Sequence, residues 1–161
     1  MEKKKTMQIT ISKSQVFAEV QKLAAYVAAK QADASADDGA YPRIAIQDED
    51  REVLESAWQD VLTDVMRLFA PYVTDAELPP LPHGTDLAAD FVLNVALPES
   101  LLAAHEAALP AVVMRYVVRR LLAAWTAIAS PEHADRFAAY AKTARIKLHS
   151  LFLLRIRRMG W

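Results

Sequence analysis

Short stretches of this chain alternate apolar and polar residues, which is the pattern of a strand with one buried face. Met7 to Ile11 alternates in this way, and so does Asp90 to Leu97. An unpaired strand leaves its backbone groups without hydrogen bonds, so we expect the second strand to pair with the first or with an extended segment at Ile44 to Ile46. One predicted face of the second strand carries Phe91, Leu93, Val95 and Leu97.

The first half of the chain also carries two apolar stripes at helical spacing. Ser12 and Gln15 form a capping box, and the stripe behind it predicts a helix that runs to about Lys30. A second stripe follows Asp48, which we expect to cap a helix, and ends at Pro71, which cannot continue one. The second stripe consists of Leu54, Ala57, Trp58, Val61, Leu62, Val65, Leu68 and Phe69.

Two stretches are rich in turn-forming residues and interrupt the helical pattern. Residues 32 to 43 combine small, acidic and turn-forming types, and we expect an exposed loop that leads into the extended segment at 44 to 46. Residues 74 to 86 hold three prolines and a glycine, which predict an extended and stiff connector.

The second half of the chain predicts two more helices. Pro98 suits the first position of a third helix, and Pro110 is expected to kink or divide it. Ala111 to Ala129 is the most apolar part and is predicted to be the central helix. Ser130 and Pro131 provide a cap and a first-turn proline for a fourth helix. Its apolar side is predicted to hold Phe137, Ala141, Ala144, Leu148 and Leu151.

These elements predict a mostly α fold, a four-helix arrangement whose third helix is kinked at Pro110, with a small two- or three-stranded β element. The 161 residues are the size of one domain and show no internal repeat, so residues 1 to 161 are interpreted as a single helical domain. The chain holds no cysteine, which excludes disulfides and thiolate metal sites. Arginines interrupt the most apolar stretch and no apolar leader opens the chain, so we expect neither a membrane span nor a secretory signal.

The formal net charge of −1 hides a strong asymmetry along the chain. Residues 32 to 64 hold ten acids against two bases, whereas residues 111 to 161 hold ten bases against two acids. Complementary potentials orient protein partners, so the acidic part of one copy is suited to meet the basic part of the next. The alternative is that the two parts pair within one fold.

Residues that could form a catalytic or metal site are few and scattered. The four histidines do not fall into a ligand motif, and the acids next to His105 and His133 do not face a common ion on a helix. The three glycines are too far apart for a dinucleotide or phosphate-binding loop. We therefore expect no catalytic residue, no cofactor, no metal and no small-molecule substrate.

Basic residues form two candidate interaction surfaces. Arg115 and Arg119 stand four apart on the predicted central helix with Arg120 beside them, and this stripe either pairs with acids of the second helix or meets a partner. No acid follows Asp135, and the bases beyond it suit phosphates, although the helix dipole also favours bases at a helix end. The candidates in this region are Lys142, Arg145, Lys147, Arg155, Arg157 and Arg158.

The end of the last predicted helix is apolar all round from Leu151 to Ile156, although an isolated terminal helix should keep one polar face. Either another part of the chain or a neighbouring subunit covers the second face, because exposed apolar patches mark contacts. We expect a neighbouring subunit, with Phe152, Leu153 and Leu154 at the interface.

Two stretches of the chain carry a resemblance to a known protein family. YPRIAIQDEDREVLESAWQDV (Tyr41 to Val61) looks like an acidic-capped helix of that family. LPAVVMRYVVRRLLAAWTAIASPEHADRFAAYAKTARIKL (Leu109 to Leu148) combines an apolar helix that ends near Trp125, a short turn and a small-residue-rich helix before a basic tail. In this order of features the chain resembles the head-tail connector, or adaptor, proteins of tailed bacteriophages, especially uncharacterised prophage proteins of gut Bacteroidales. The resemblance implies a ring of identical subunits between portal and tail in the virion, assembled in the host cytoplasm.

The first hypothesis is therefore a non-enzymatic virion structural protein, a head-tail connector or tail-completion subunit that forms a homo-oligomeric ring and contacts portal and tail proteins. Contacts between two different surfaces close into a ring when the rotation allows it. The alternative is a nucleic-acid-binding regulatory protein that uses the basic C-terminal helix, on which Lys142 and His149 are almost the only candidates for base reading. Non-specific DNA contact is compatible with both hypotheses.

Overall fold

A computed structural model of the chain describes residues 3–35, 39–73 and 90–153, without the side chains of Ser35, Ala104, Phe152 and Leu153. The predicted connector at 74 to 86 lies outside these ranges. Within them the fold is mostly helical with a two-stranded antiparallel sheet, which confirms the predicted fold class. The elements are β1 (Lys4–Ile11), α1 (Lys13–Ser35), α2 (Ala40–Ile44), α3 (Arg51–Phe69), β2 (Phe91–Pro98), α4 (Glu99–His105), α5 (Leu109–Ala129) and α6 (Ala134–Leu153).

The two strands pair along their whole length, with Lys4 opposite Pro98 and Ile11 opposite Phe91. The predicted pairing of the two alternating segments is confirmed, and the alternation decides which face is buried. The buried face of the sheet carries Ile9, Ile11, Phe91, Leu93, Val95 and Leu97. On the exposed face, Nε2 of Gln8 donates a hydrogen bond to Oδ1 of Asn94 at 3.2 Å.

The two predicted helices of the first half are present as α1 and α3. The backbone N–H of Gln15 donates to Oγ of Ser12 at 3.5 Å, and α1 continues to residue 35, beyond the predicted end. Asp48 does not cap α3, because residues 48–50 form a 3-10 turn in which the backbone N–H of Gln47 donates to the Asp50 carboxylate at 2.8 Å. Six of the eight residues in the predicted stripe of α3 are buried, and the other two, Ala57 and Leu68, are partly buried and pack against the core.

The predicted exposed loop at 32 to 43 and the predicted extended segment at 44 to 46 are both corrected by the structure. Residues 40–44 form α2, and its Ala40 and Ile44 are buried. The cause is tertiary, since Ala40 and Ile44 pack with Ala28 of α1, and the indole Nε1 of Trp125 donates a 2.7 Å hydrogen bond to the backbone carbonyl of Ile44. These contacts hold α2 against α1 and the end of α5, and no strand forms at Ile44 to Ile46.

Pro110 divides the third predicted helix into two. α4 ends at His105 and α5 begins at Leu109, and Pro110 lies in the first turn of α5, where its missing N–H has no helical partner to lose. Pro98 is the last residue of β2 instead of the first helical residue. α5 packs against α1, α3 and α6, and it is the central helix as predicted.

The fourth predicted helix is α6, which follows a 3-10 turn at 131–133 and runs back along α5. Its predicted apolar side is confirmed. Ala141, Ala144 and Leu148 are buried, and Phe137 and Leu151 pack against the core. Among the helices described, none combines the length and hydropathy needed to cross a lipid bilayer.

Candidate interaction surface

The acidic and basic parts of the chain touch where α3, α5 and α6 meet. Nε of Arg145 lies 3.3 Å from Oδ2 of Asp64, and the hydroxyl of Tyr116 donates a hydrogen bond to the same carboxylate oxygen. Asp64 of α3 therefore binds the Tyr116 hydroxyl of α5 and the Arg145 guanidinium of α6. At this point the two oppositely charged parts pair within a single chain.

Burial and the Asp64 charge decide the protonation of this cluster. The Tyr116 side chain is fully buried, and burial, followed by the hydrogen bond to Asp64, raises the pKa of its hydroxyl to about 12. The same carboxylate raises the pKa of Arg145, mainly through its hydrogen bond. Tyr116 is therefore neutral and Arg145 charged at neutral pH, and the Arg145 side chain stays half exposed.

Arg120 lies one helical turn from Tyr116 on α5 and is close to the same cluster. Its positive charge, like that of Arg145, opposes the rise in the pKa of Tyr116. Arg115 and Arg120, five positions apart, project about 140° apart around a helix. The single basic stripe expected on the central helix is therefore divided, with Arg120 near Arg145 and Arg115 on another side.

Arg115 is exposed and Arg119 is partly exposed. The pairing expected between these residues and the acids of α3 is not formed among the described residues. The acids of α3 that form ion pairs among the described residues pair with other bases, Glu55 with Lys13 and Asp64 with Arg145. Arg115 and Arg119 therefore form no ion pair with another described residue.

The bases of α6 lie on two sides of that helix. Lys142 and Arg145 are three positions apart and share a side, whereas Lys147 is two positions beyond Arg145 and projects nearly opposite to it. Lys142 and Lys147 are exposed. We call Arg120, Lys142 and Arg145 the basic patch. The side chains of Phe152 and Leu153 and all of Leu154, Arg155, Arg157 and Arg158 lie outside the described residues.

A second charged surface lies at the start of α3, and we call it the acidic edge. It consists of Asp48, Glu49, Asp50 and Glu52. Acids are favoured here by the positive end of the helix dipole. All except the half-buried Asp50 are exposed, with the exposed Arg51 among them. None of the four acids forms an ion pair with another described residue.

The histidines of the described residues do not form a metal centre. His105 ends α4 and His149 is exposed on α6, so they lie on different elements. Nδ1 of His133 and Oγ of Ser130 lie 2.9 Å apart in a side-chain contact within the turn before α6, and the predicted side-chain cap by Ser130 is not formed. No group of three or more potential ligands among histidines and acids occurs in the part of the chain that the structure describes.

Two features of the structure were not predicted from the sequence. One is the buried ion pair of Lys13 and Glu55, whose partners are 42 positions apart. The other is a groove between the start of α1 and the segment that leads into α3. Comparisons with protein family models, curated proteins and solved structures give no match to this chain.

Proposed function

We propose that this chain is a non-enzymatic structural subunit that assembles with copies of itself into a closed ring, as a head-tail connector or tail-completion protein of a tailed bacteriophage. In this assembly the acidic edge of one copy faces the basic part of the next. The two surfaces differ, so the contact runs head to tail and repeats around the ring.

The observation that carries this proposal is that most charged residues of the two parts, among those that the structure describes, form no ion pair. Within the described residues, two ion pairs link the acidic and basic parts, Asp64 with Arg145 at 3.3 Å and Arg43 with Glu132 at 3.7 Å. The acidic edge and the other bases of α5 and α6 make no such link. Exposed charges of opposite sign on separate surfaces favour oriented association between copies.

The place of the ring in a virion is supported by the order of features along the chain. The acidic-capped helix corresponds to α3, and the apolar helix, short turn and small-residue-rich helix correspond to α5, the 3-10 turn and α6. These are the elements on which the resemblance to connector proteins rests. Portal and tail proteins are the partners that the proposal assigns to the two faces of the ring.

Light scattering behind a sizing column tests the assembly of the purified chain. We expect a defined oligomer at low salt that loosens as the salt rises, because exposed charges are screened beyond about 10 Å at 0.1 M ionic strength. A monomer at every protein and salt concentration contradicts self-assembly.

A second candidate function, nucleic-acid binding, is favoured by one observation. The exposed surface of α6 carries Arg136, Lys142, Arg145, Lys147 and His149, and no acid follows Asp135. This alternative is supported if the chain is a monomer that binds duplex DNA. The logarithm of its association constant should then fall with the logarithm of the salt concentration, with a slope of about −0.9 per phosphate contact. Discrimination between sequences separates a regulator from a structural protein that contacts DNA without reading it.

A further inference from the structure

A groove of ≈ 260 Å³ lies between the first turns of α1 and the segment that leads into α3. Small-molecule sites are usually roughly 300–1,000 Å³, so this groove has room for a ligand at the small end of that range. The apolar part of its lining consists of the buried Phe17 and Leu54 and the partly buried Ile46, and we call these three residues the apolar floor. A ligand of this groove is therefore small and carries an apolar group.

Two exposed side chains of opposite charge, Asp48 and Arg51, line the same groove. Asp48 begins the 3-10 turn, and the backbone N–H of Arg51 donates to the Asp48 carbonyl at the end of that turn. Residues three apart in a 3-10 turn project to the same side, so the two side chains are neighbours. Neither forms an ion pair with the other or with another described residue. The groove therefore presents one negative and one positive group close together.

This pair of charges restricts the charge of the ligand. A cation is attracted by Asp48 and repelled by Arg51, and an anion meets the reverse arrangement, because like charges placed together are unfavourable. A zwitterion has a partner for both groups. In an α-amino acid the ammonium and carboxylate groups are attached to the same carbon atom, which suits two charged side chains one turn apart. The amino-acid side chain leaves from that carbon as well and can reach the apolar floor.

We infer that the groove binds a free α-amino acid with an apolar side chain, whose carboxylate pairs with Arg51 and whose ammonium group pairs with Asp48. A guanidinium binds a carboxylate through two parallel N–H groups, which fixes the orientation of the ligand. The hydroxyl of Ser14 and the amide of Gln21 provide further hydrogen-bonding groups on the α1 side. The site lies within one chain, so it goes beyond the proposed self-assembly and does not require it.

Titration of the full chain with leucine, followed by NMR, tests this inference. The methyl signals of Ile46 and Leu54 should shift and saturate with a dissociation constant of about 1 mM, because both charged side chains are exposed and their pairing is weakened by solvent. Leucinamide lacks the carboxylate, N-acetylleucine lacks the ammonium group, and glycine lacks the apolar side chain. Each should bind at least tenfold more weakly than leucine.

Variants of the full chain assign the two charges of the ligand. Arg51→Gln should weaken the binding of leucine at least tenfold without weakening that of leucinamide, which has no carboxylate. Asp48→Asn should weaken leucine to the same extent without weakening N-acetylleucine, which has no ammonium group. Arg67→Gln and Asp60→Asn, at exposed positions of α3 outside the groove, are the matched controls and should bind leucine like the unmodified chain.

The inference is overturned if leucine gives no saturating shift at ten times the expected dissociation constant, or if leucine and leucinamide bind equally. Equal losses in Arg51→Gln and Arg67→Gln overturn it as well. Light scattering on the same samples reports self-assembly separately. A monomer that binds leucine retains this site and contradicts the ring, and an oligomer that does not bind leucine overturns the site and leaves the ring standing.

Discussion

The ammonium group of Lys13 lies 2.6 Å from Oε1 of Glu55. The Lys13 side chain is fully buried, and the pair joins the start of α1 to α3. The ammonium also lies 5.6 Å from the centre of the Phe17 ring. Oε2 of Glu55 is buried without a hydrogen-bond partner among the described residues, so the carboxylate depends strongly on Lys13.

Lys13→Met should lower the free energy of unfolding by about 3–5 kcal/mol, because the Glu55 charge is then left buried without its partner. The double variant Lys13→Met/Glu55→Leu should regain a large part of this loss, since an apolar pair has no buried charge to compensate. Urea unfolding measures both values. Lys22→Met, at an exposed lysine, is the control and should stay within about 0.5 kcal/mol of the unmodified chain. A loss below about 1 kcal/mol in Lys13→Met contradicts the prediction.

Tyr116 should make the fold sensitive to alkaline pH. Burial raises the pKa of its hydroxyl to about 12, whereas the pKa of an unfolded tyrosine is about 10. Below pH 10 the hydroxyl is neutral in both states, and between pH 10 and 12 the unfolded chain loses its proton first. The free energy of unfolding therefore falls as the pH rises through this range, by up to about 2–3 kcal/mol from this group.

Urea unfolding between pH 8 and pH 11.5 isolates this contribution. Tyr116→Phe should be less stable than the unmodified chain at pH 8, because it loses the hydrogen bond to Asp64, and should lose less further stability as the pH rises. Tyr140→Phe, at an exposed tyrosine, should follow the unmodified chain. Equal pH slopes for Tyr116→Phe and the unmodified chain would falsify the assignment.

Trp125→Phe should destabilise α2 more than the rest of the fold. The change removes the indole donor to the buried carbonyl of Ile44 and should cost about 1–3 kcal/mol. Amide exchange should accelerate most in residues 40–45, including the N–H of Ala45, which donates to the carbonyl of Tyr41.

Trp58→Phe is a matched control for Trp125→Phe, because Nε1 of Trp58 is buried and has no hydrogen-bond partner in the part of the chain that the structure describes. Both changes replace a buried indole by a phenyl ring, but only the one at Trp125 removes a hydrogen bond. We expect the smaller loss of stability in Trp58→Phe and no selective exchange in α2. The reverse order would show that the bond to Ile44 does not hold α2 in place.

Local periodicity was sufficient to predict the elements in which buried residues recur at the spacing of a strand or a helix. The buried face of β2 and the stripe of α3 followed from alternation and from helical spacing. The prediction failed at α2, where Pro42 and small neighbours favour a loop. Those residues form a helix because they pack on α1 and because Trp125, far away in sequence, donates a hydrogen bond to the carbonyl of Ile44.

The candidate surface was predictable in composition but not in arrangement. The sequence identified Arg120 and Arg145 separately, and only the packing of α5 on α6 places both near Tyr116. Lys13 directly follows the serine of the capping box, and neither its type nor its position indicates burial. Its burial depends on Glu55, which no local pattern connects to it.

The central claim is self-assembly through opposed charge, and two charge-reversed variants test it most directly. One variant carries Asp48→Lys, Glu49→Lys and Glu52→Lys on the acidic edge, and the other carries Arg120→Glu and Lys142→Glu on the basic patch. Arg145 is left unchanged because it binds Asp64 within the fold. The measurement is the mass by light scattering of each variant alone and of the two mixed in equal amounts. We predict that each variant alone is monomeric or weakly associated and that the mixture forms an oligomer that neither variant forms alone. Variants that each assemble as well as the unmodified chain, or a mixture that stays monomeric, would contradict the claim.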